Sequence, residues 1–439
     1  MNLCSIWCSN HTIPNHPEYG SDCLRRKQLG FEVRPIRAEE REECLKLWCT
    51  VWSGDTNAYF RRYFYGDVEW LPYYTCVGVL DDKIVSAVHI CKRIVACGGM
   101  RLTMGGIANV STLPEYRGKG YNEACLKMAI AVMESDAMDF SLLFTGIDAY
   151  YARQGFSTLP QHTISGKISS DIDPIVSGFQ VRKAGMTDVP AIRAIYDDYN
   201  KFRPIAVQRD AAYWREWLNI SEAHIPDDIL IAMNTQNEIV GYVQSGTFNS
   251  AEPYNAEGIG ERVLEFGLRD GLNDVQKNAA AFALLHGVAL GMLAENRVEL
   301  RLDLALDQHV LSAFDALAIE RTTHTDSSGM VRVLNQKNLL RTIAMDANER
   351  WIAAGSPTGR LTFATPYGNV ALDASGTLLR VEEAEPHEFA LSQEKLLGWL
   401  FGFSQLNETA ANSALFPLIA AVFPASQSGD GVYWGADGF

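Results

Sequence analysis

The alternation of apolar and polar positions opens twice along the chain. Phe31-Glu32-Val33-Arg34 alternates like a strand and leads into a helix from about Glu39 to Trp52, with Leu45, Trp48 and Trp52 at helical spacing. Phe179-Gln180-Val181-Arg182 repeats that opening ahead of a helix from about Thr187 to Tyr199, which carries Ile192 and Ile195. A repeated strand-helix opening predicts two copies of one domain type. Residues 1 to about 30 show neither period.

Inside the first copy, Thr75 to Leu80 and Lys83 to Val95 flank Asp81-Asp82 and read as a hairpin. A third strand runs from Met104 to Thr112 and ends at Leu113-Pro114. A helix from about Tyr121 to Ser135 buries Leu126, Ile130 and Met133 on one face, and a strand from Phe140 to Thr145 precedes a short helix starting near Ala149. The second copy has comparable strands at Ile229 to Met233, Ile239 to Gly246, Arg262 to Gly267 and Val298 to Leu304, with a helix over Asp274 to Glu295. From about Leu334 the pattern changes. A helix with Leu339, Leu340 and Ile343 precedes short strands at Arg360 to Ala364, Asn369 to Ala374 and Thr377 to Glu382, and Ser392 caps a helix from Gln393 to Phe403. This last part reads as a small α+β domain.

Composition narrows the class. A chain of 439 residues with 47% hydrophobic and 21% charged side chains fits about three globular domains. A formal charge of −15 argues against nucleic-acid binding, which needs a basic face, and suits cationic ligands better. The nine cysteines all lie at or before Cys125, an odd and clustered set that makes a poor disulfide framework, so a reducing, cytoplasmic setting is expected. Asn10, His11, Asn15, His16 and Glu18 interrupt any leader-like apolar run. The most apolar stretch, Ala279 to Leu293, is shorter than the ~20 residues a membrane span needs and reads as a buried helix. Cys4, Cys8, His11 and Cys23 match no common zinc spacing; a loose extension is the simpler reading, and no metal is expected.

The segment richest in chemistry is Gly106-Ile107-Ala108-Asn109-Val110-Ser111-Thr112-Leu113-Pro114-Glu115-Tyr116-Arg117-Gly118-Lys119-Gly120-Tyr121-Asn122, a strand that empties into a glycine-rich loop at a helix start. Gly118 and Gly120 allow close backbone approach, the amides from Gly118 to Asn122 face an anion, and the helix N-terminus adds a favourable dipole. Arg117 and Lys119 supply positive charge, so the loop suits a pyrophosphate. It has neither the Walker nor the Rossmann glycine pattern. The second copy carries Leu268-Arg269-Asp270-Gly271-Leu272-Asn273-Asp274 in the same place, without such a cradle.

This strand and loop resemble the coenzyme A loop of the Gcn5-related N-acetyltransferases (GNAT), whose R-x-x-G-x-G/A pattern matches Arg117 and Gly120 but has Asn122 at its last position. Tyr150-Tyr151-Ala152-Arg153-Gln154-Gly155-Phe156 is similar to the family's Y-x-x-x-G-F/Y segment, which implies Tyr151 as the general acid that protonates the coenzyme A thiolate; a packed interface tyrosine is the alternative. The layout resembles the enhanced intracellular survival (Eis) branch over residues 31 to 439. That resemblance implies an α/β fold of tandem GNAT units with mixed central sheets flanked by helices, plus a small α+β sterol-carrier-like domain. The implied divisions are an extension at 1–30, a catalytic domain at 31–172, a degenerate copy at 173–333 and the sterol-carrier-like domain at 334–439. It also implies a homo-oligomer such as a hexamer, and a C-terminal carboxylate, here that of Phe439, acting as base in the active site.

The residues give their own reason to look for a distant base. Attack on a thioester needs a neutral amine, and Gly105 to Thr112 contains no carboxylate. Asp148, three positions before Tyr151, is the internal competitor, or else it caps the helix near Ala149. The aromatic-rich terminus Val432-Tyr433-Trp434-Gly435-Ala436-Asp437-Gly438-Phe439 has the character of a docking segment. Trp52 and Asp55 follow the first helix, where the resembling proteins bind their amine, and an aromatic beside a carboxylate suits an ammonium group; Trp52 in the core is the plainer reading. His89 and His286 read as packed histidines.

The expected function is therefore acetyl-CoA-dependent N-acetyl transfer, without metal, to a primary amine of a polycationic small molecule (an aminoglycoside or polyamine) or a lysine, by direct attack. Arg117, Gly118, Lys119, Gly120, Tyr121 and Asn122 would hold the pyrophosphate, and Val110, Ser111 and Thr112 the pantetheine arm, with Val110 and Thr112 pairing through their backbones. Cys125 falls inside the helix after the loop, away from a nucleophile's place. The rivals are a tandem-fold transferase with another acyl or aminoacyl-tRNA donor, and a lipid or sterol binder using the C-terminal domain.

Overall fold

The computed structural model describes residues 30–52, 57–172, 178–251, 255–304, 307–365, 368–384, 390–402, 414–423 and 437–438. The 1–29 segment, with its Cys4, Cys8, His11 and Cys23 set, lies outside the described residues, as do Asp55 and Phe439.

The first stretch of chain forms β1 (Phe31–Pro35), α1 (Arg41–Trp52), α2 (Asn57–Tyr65), β2 (Thr75–Leu80), β3 (Lys83–Cys97), β4 (Met100–Thr112), α3 (Tyr121–Ser135), β5 (Phe140–Phe144), α4 (Asp148–Ala152), β6 (Ser157–Thr158) and β7 (Gln161–Ile168). The second forms β8 (Gln180–Lys183), α5 (Val189–Asn200), β9 (Ile229–Met233), β10 (Ile239–Ala251), β11 (Asn255–Leu268), α6 (Asp274–Ala294), β12 (Glu299–Leu302), α7 (Gln308–Leu317), β13 (Ala318–Asp326) and β14 (Gly329–Val333). The last comprises α8 (Gln336–Ala353), β15 (Arg360–Thr365), β16 (Gly368–Asp373), β17 (Arg380–Glu383), β18 (Ala390–Leu391), α9 (Gln393–Phe401) and α10 (Phe416–Val422).

Two seven-stranded mixed sheets result, in the orders β1-β2-β3-β4-β5-β14-β6 and β13-β7-β12-β11-β10-β9-β8. They exchange strands. β14, late in the chain, lies between β5 and β6, while β7, from the first stretch, lies between β13 and β12. Sheet membership thus crosses the 172/173 division read from the sequence in both directions, because strand pairing joins segments far apart in sequence.

Each sheet also contains one parallel pair at an equivalent place, β4 with β5 and β11 with β12. The first sheet is buried on both faces. Along β2, Cys76 joins the cluster under α3 and Val77 the cluster under α1, the period of two expected of a strand covered by helices on either side. The Asp81-Asp82 turn of the β2–β3 hairpin has positive φ at both residues (49° and 64°), the backbone a two-residue hairpin requires.

The helix expected to be buried is α6. It is the one described helix long and apolar enough to cross a membrane, and Ala281, Leu284, Leu285 and Val288 sit inside the second core. In the last part, a four-stranded sheet of order β17-β16-β15-β18 carries the small α+β pattern, and the Ser392 hydroxyl accepts from Lys395 N at the start of α9, as its position before the helix predicts. This part is welded to the first sheet. The Gln393 amide donates to Gly155 O and Ser157 Oγ at 3.0 Å and accepts from Val333 N, and the Phe140 and Phe401 rings stand 4.9 Å apart.

Candidate active site

β4 and β5 pair only through Met104 to Gly106 against Phe140 to Leu142. Beyond Gly106 the two strands part, and a bulge in β4 opens the gap: three steps on β4, Ala108 to Ser111, oppose two on β3, Ala87 to His89. Asn109 sits at that bulge with φ of 51°, a left-handed conformation that asparagine tolerates better than most residues. Leu113 N donates to Val85 O, so its main chain points toward β3. By strand alternation Ser111 points the same way, while Val110 and Thr112 turn theirs toward the gap. The result is a short strand edge with no partner strand among the described residues, along a cleft of about 1130 Å³.

At one end of the cleft stands the glycine loop. Gly118 (φ 74°) and Gly120 (φ 76°) take conformations that favour glycine, and a Cβ at Gly118 would meet nothing within 4 Å, so the backbone there is open to a ligand. α3 begins with Gly120 as its N-cap and has no side-chain cap, which leaves its first-turn dipole available to an anion. The equivalent helix of the second sheet, α6, is closed instead: Asn273 accepts from Gln276 N and Gln276 reaches back to Asn273 N. Arg117 and Lys119 are exposed and make long hydrogen bonds to Thr112 O and Glu115 O, both at 3.3 Å, and Lys119 Nζ also lies 5.2 Å from the Tyr116 ring centroid.

Asn122, where the resemblance departs from its pattern, braces the loop. Its amide donates to Ser111 O at 3.2 Å and Ser86 Oγ at 3.3 Å, and its Oδ1 accepts from the Tyr150 hydroxyl at 2.9 Å. Tyr121 packs its ring on Phe31, with centroids 4.2 Å apart. Ser111 is buried and accepts from Trp52 Nε1 at 2.9 Å through its hydroxyl. Thr112 Oγ1 lies 2.9 Å from Ser86 Oγ.

Tyr151 lines the cleft from α4. It is 6% exposed, its hydroxyl has no hydrogen-bond partner among the described residues, and burial pushes its pKa up to about 12. Burial likewise raises the neighbouring Tyr150, whose hydroxyl is occupied by Asn122. Asp148 is the first residue of α4, whose N-cap position is Ile147 and has no side-chain cap. It is exposed, accepts from Ala149 N at 2.8 Å and lies off the cleft wall. Cys125 is buried and does not line the cleft.

Trp52, half exposed, lines the cleft together with Val51, Tyr59 and Phe60, the last two from α2, a helix that the sequence reading did not include. The signal for α2, Tyr59, Phe60, Tyr63 and Phe64 at helical spacing, was present in the sequence. Arg62, also on α2, lies with its guanidinium 4.4 Å from the Tyr59 ring centroid and donates to Gly438 O at 2.6 Å.

His89 is a packed histidine, as expected. Its Nδ1 lies 2.9 Å from Thr75 Oγ1, its ring meets Trp48, Tyr63 and Phe64 edge-on, and burial pushes its pKa down to about 3. His286 is buried beside Phe282. Asp67, His89 and Cys91 come close enough together to suggest a metal cluster, but the Asp67 carboxylate is held by Arg93 at 2.9 and 3.0 Å, with both side chains buried.

Comparison with known proteins gives the family of the segment that carries this cleft. Residues 32–159 match the acetyltransferase (GNAT) domain family, the span that holds β4, the glycine loop and Tyr151. Among solved structures, the chain is similar to a GCN5-related N-acetyltransferase from Kribbella flavida (TM-score 0.64, 16% identity, 93% of this chain and 98% of that one). It is also similar to a conserved protein of unknown function from Enterococcus faecalis described as a probable N-acyltransferase (0.62, 16%, 90% and 96%), and to Eis1 from Mycobacterium abscessus (0.57, 11%, 92% and 99%). No curated protein matches the chain. Residues 32–159 thus carry a GNAT-type N-acetyltransferase domain, and over most of its length the chain is similar in fold to the solved structures just named. Enzymes of this class use acetyl-CoA as co-substrate and act on amines of small molecules or peptides.

Proposed function

We propose that this protein transfers the acetyl group of acetyl-CoA directly to a primary amine. The edge of β4 supports this most, because it opens beside an uncapped helix N-terminus and in the same cleft as Tyr151. The amides from Gly118 to Asn122, with Arg117 and Lys119, hold the pyrophosphate. Val110 and Thr112 pair with the pantetheine amides like an added strand, and Trp52 stands on the acceptor side. The amine nitrogen attacks the thioester carbonyl and gives its proton to a base, the C–S bond breaks, and Tyr151 protonates the departing thiolate. A tyrosine held protonated by burial suits that donor role.

The base in this reading is the Phe439 carboxylate. The fastening of Asp437 and Gly438 supports it, as does the position of Asp148 off the cleft wall. The acceptor is an amine on a polycationic small molecule or a lysine, with Asp55 as a further acceptor contact. In the same reading the two exchanged sheets are the tandem copies, the second without a coenzyme A loop, and residues 334–439 form the sterol-carrier-like unit. The chain works as a cytoplasmic homo-oligomer; the odd, clustered set of nine cysteines, a poor disulfide framework, suits that setting. Free-thiol release from acetyl-CoA, read against aminoglycosides, polyamines and lysine peptides, tests the reaction. Turnover on a member of the panel supports it, and failure to bind acetyl-CoA overturns it.

A further inference from the structure

The second sheet carries a buried polar cluster that reaches beyond its own strands and helices to Asp437. Arg209, on the segment between α5 and β9, stacks over Tyr196 at 3.8 Å and Trp214 at 4.7 Å, and its guanidinium is spent on two carboxylates. Glu265 on β11 takes Nη1 at 3.0 Å and a short bond from Nη2. Asp437 takes Nε and Nη2, each at 2.9 Å. The Tyr213 hydroxyl donates to Asp437 Oδ1 at 3.0 Å, and the Tyr242 hydroxyl donates to Glu265 at 2.7 Å. Arg209 and Asp437 side chains are both 0% exposed. Desolvating an aspartate is unfavourable unless the partners are strong, and here three donor bonds meet it.

A second fastening follows at once. Arg62 of α2 donates to the Gly438 carbonyl, and its guanidinium lies 4.4 Å from the ring centroids of both Tyr59 and Trp217. Tyr59 lines the cleft, and Trp217 belongs to the same short π-helical turn as Tyr213. One aromatic wall therefore links the site that holds Asp437 to the helix that forms the acceptor side.

We propose that the second sheet has become an anchor for the chain end: Arg209 and Tyr213, with Arg62 from the first sheet's α2, are positioning residues that fix Asp437 and Gly438 beside the acceptor side of the cleft. This rests on the proposed role of the terminal carboxylate as base. It explains what a copy without a coenzyme A loop contributes to the reaction. Arg209 keeps Glu265 as a full bidentate partner when Asp437 is changed, so the tail can be released while the cluster stays paired.

The test compares wild type with Asp437→Asn and Arg62→Met. Release of C-terminal residues by carboxypeptidase is followed by mass spectrometry, and kcat and KM for acetyl-CoA are measured on the best amine of the panel. Faster release by at least tenfold in both variants, with kcat lowered at least tenfold, KM for acetyl-CoA within twofold and an unchanged far-ultraviolet spectrum, is the expected result. A tail in Asp437→Asn as protected as in wild type overturns the anchor. A tail that is released while kcat stays at the wild-type value overturns its link to catalysis. Absence of turnover in wild type itself counts against the acetyltransferase reading, while the carboxypeptidase comparison still decides the anchor.

Discussion

The Tyr150 hydroxyl donates to Asn122 Oδ1 at 2.9 Å, tying the segment after β5 to the first turn of α3 across the mouth of the cleft. Asn122 also reaches Ser111 O and Ser86 Oγ, so one side chain connects both β3 and β4 to the loop. Asn122→Ala removes these bonds from a half-buried site. A loss of about 1–2 kcal/mol in stability is expected by denaturant unfolding, with acetyl-CoA binding weakened several-fold by calorimetry. Unchanged binding would show that the brace does not shape the loop.

Gly118 offers a cleaner test of the anion cradle. Its φ of 74° strains any side chain by about 1 kcal/mol, yet no atom stands within 4 Å of the missing Cβ. Gly118→Ala should therefore fold with only a small loss of stability. Its methyl group would stand where the pyrophosphate is proposed to sit, so a fall in acetyl-CoA affinity of about tenfold or more, roughly 1.4 kcal/mol, is expected by calorimetry. Wild-type affinity in this variant would move the pyrophosphate elsewhere.

Tyr151 gives a prediction in pH. Burial raises its pKa to about 12, above the usual tyrosine value of about 10, so the folded state holds this proton where the unfolded chain releases it. Its contribution to stability is complete below pH ~10 and is lost as pH rises toward about 12. In Tyr151→Phe that alkaline loss should shrink, as thermal melts between pH 9 and 12 would show. Between pH 6 and 10 the tyrosine stays an acid, so no descending limb of kcat/KM in that window should come from it. The variant should lose about 100-fold in kcat with little change in KM for acetyl-CoA.

The pieces legible in the sequence are those whose structure is local. The Asp81-Asp82 hairpin, α3 from Tyr121 to Ser135, the Ser392 cap and the glycine loop were read in place because turn chemistry, helical period and capping act within a few residues. The lack of an anion cradle before α6 was equally readable, and the Asn273–Gln276 capping box shows how that helix start is closed. The exchange of β7 and β14 was not legible, since nothing in Gln161–Ile168 or Gly329–Val333 announces which sheet will accept it. Asn109 stood in the open as a polar residue within an apolar strand, but only the register between β3 and β4 reveals the bulge that opens the strand edge. The Arg209–Asp437 pair joins residues 228 positions apart, beyond the reach of any local pattern.

The most direct test concerns the chain end as base. Thiol release at saturating acetyl-CoA should be compared between wild type and a variant carrying two glycines after Phe439, with acetyl-CoA binding measured on both. A drop in kcat of about 100-fold or more with binding unchanged is the expected result, because the extension moves the carboxylate away from the amine. Equal turnover in the two proteins would contradict a catalytic role for the C-terminal carboxylate.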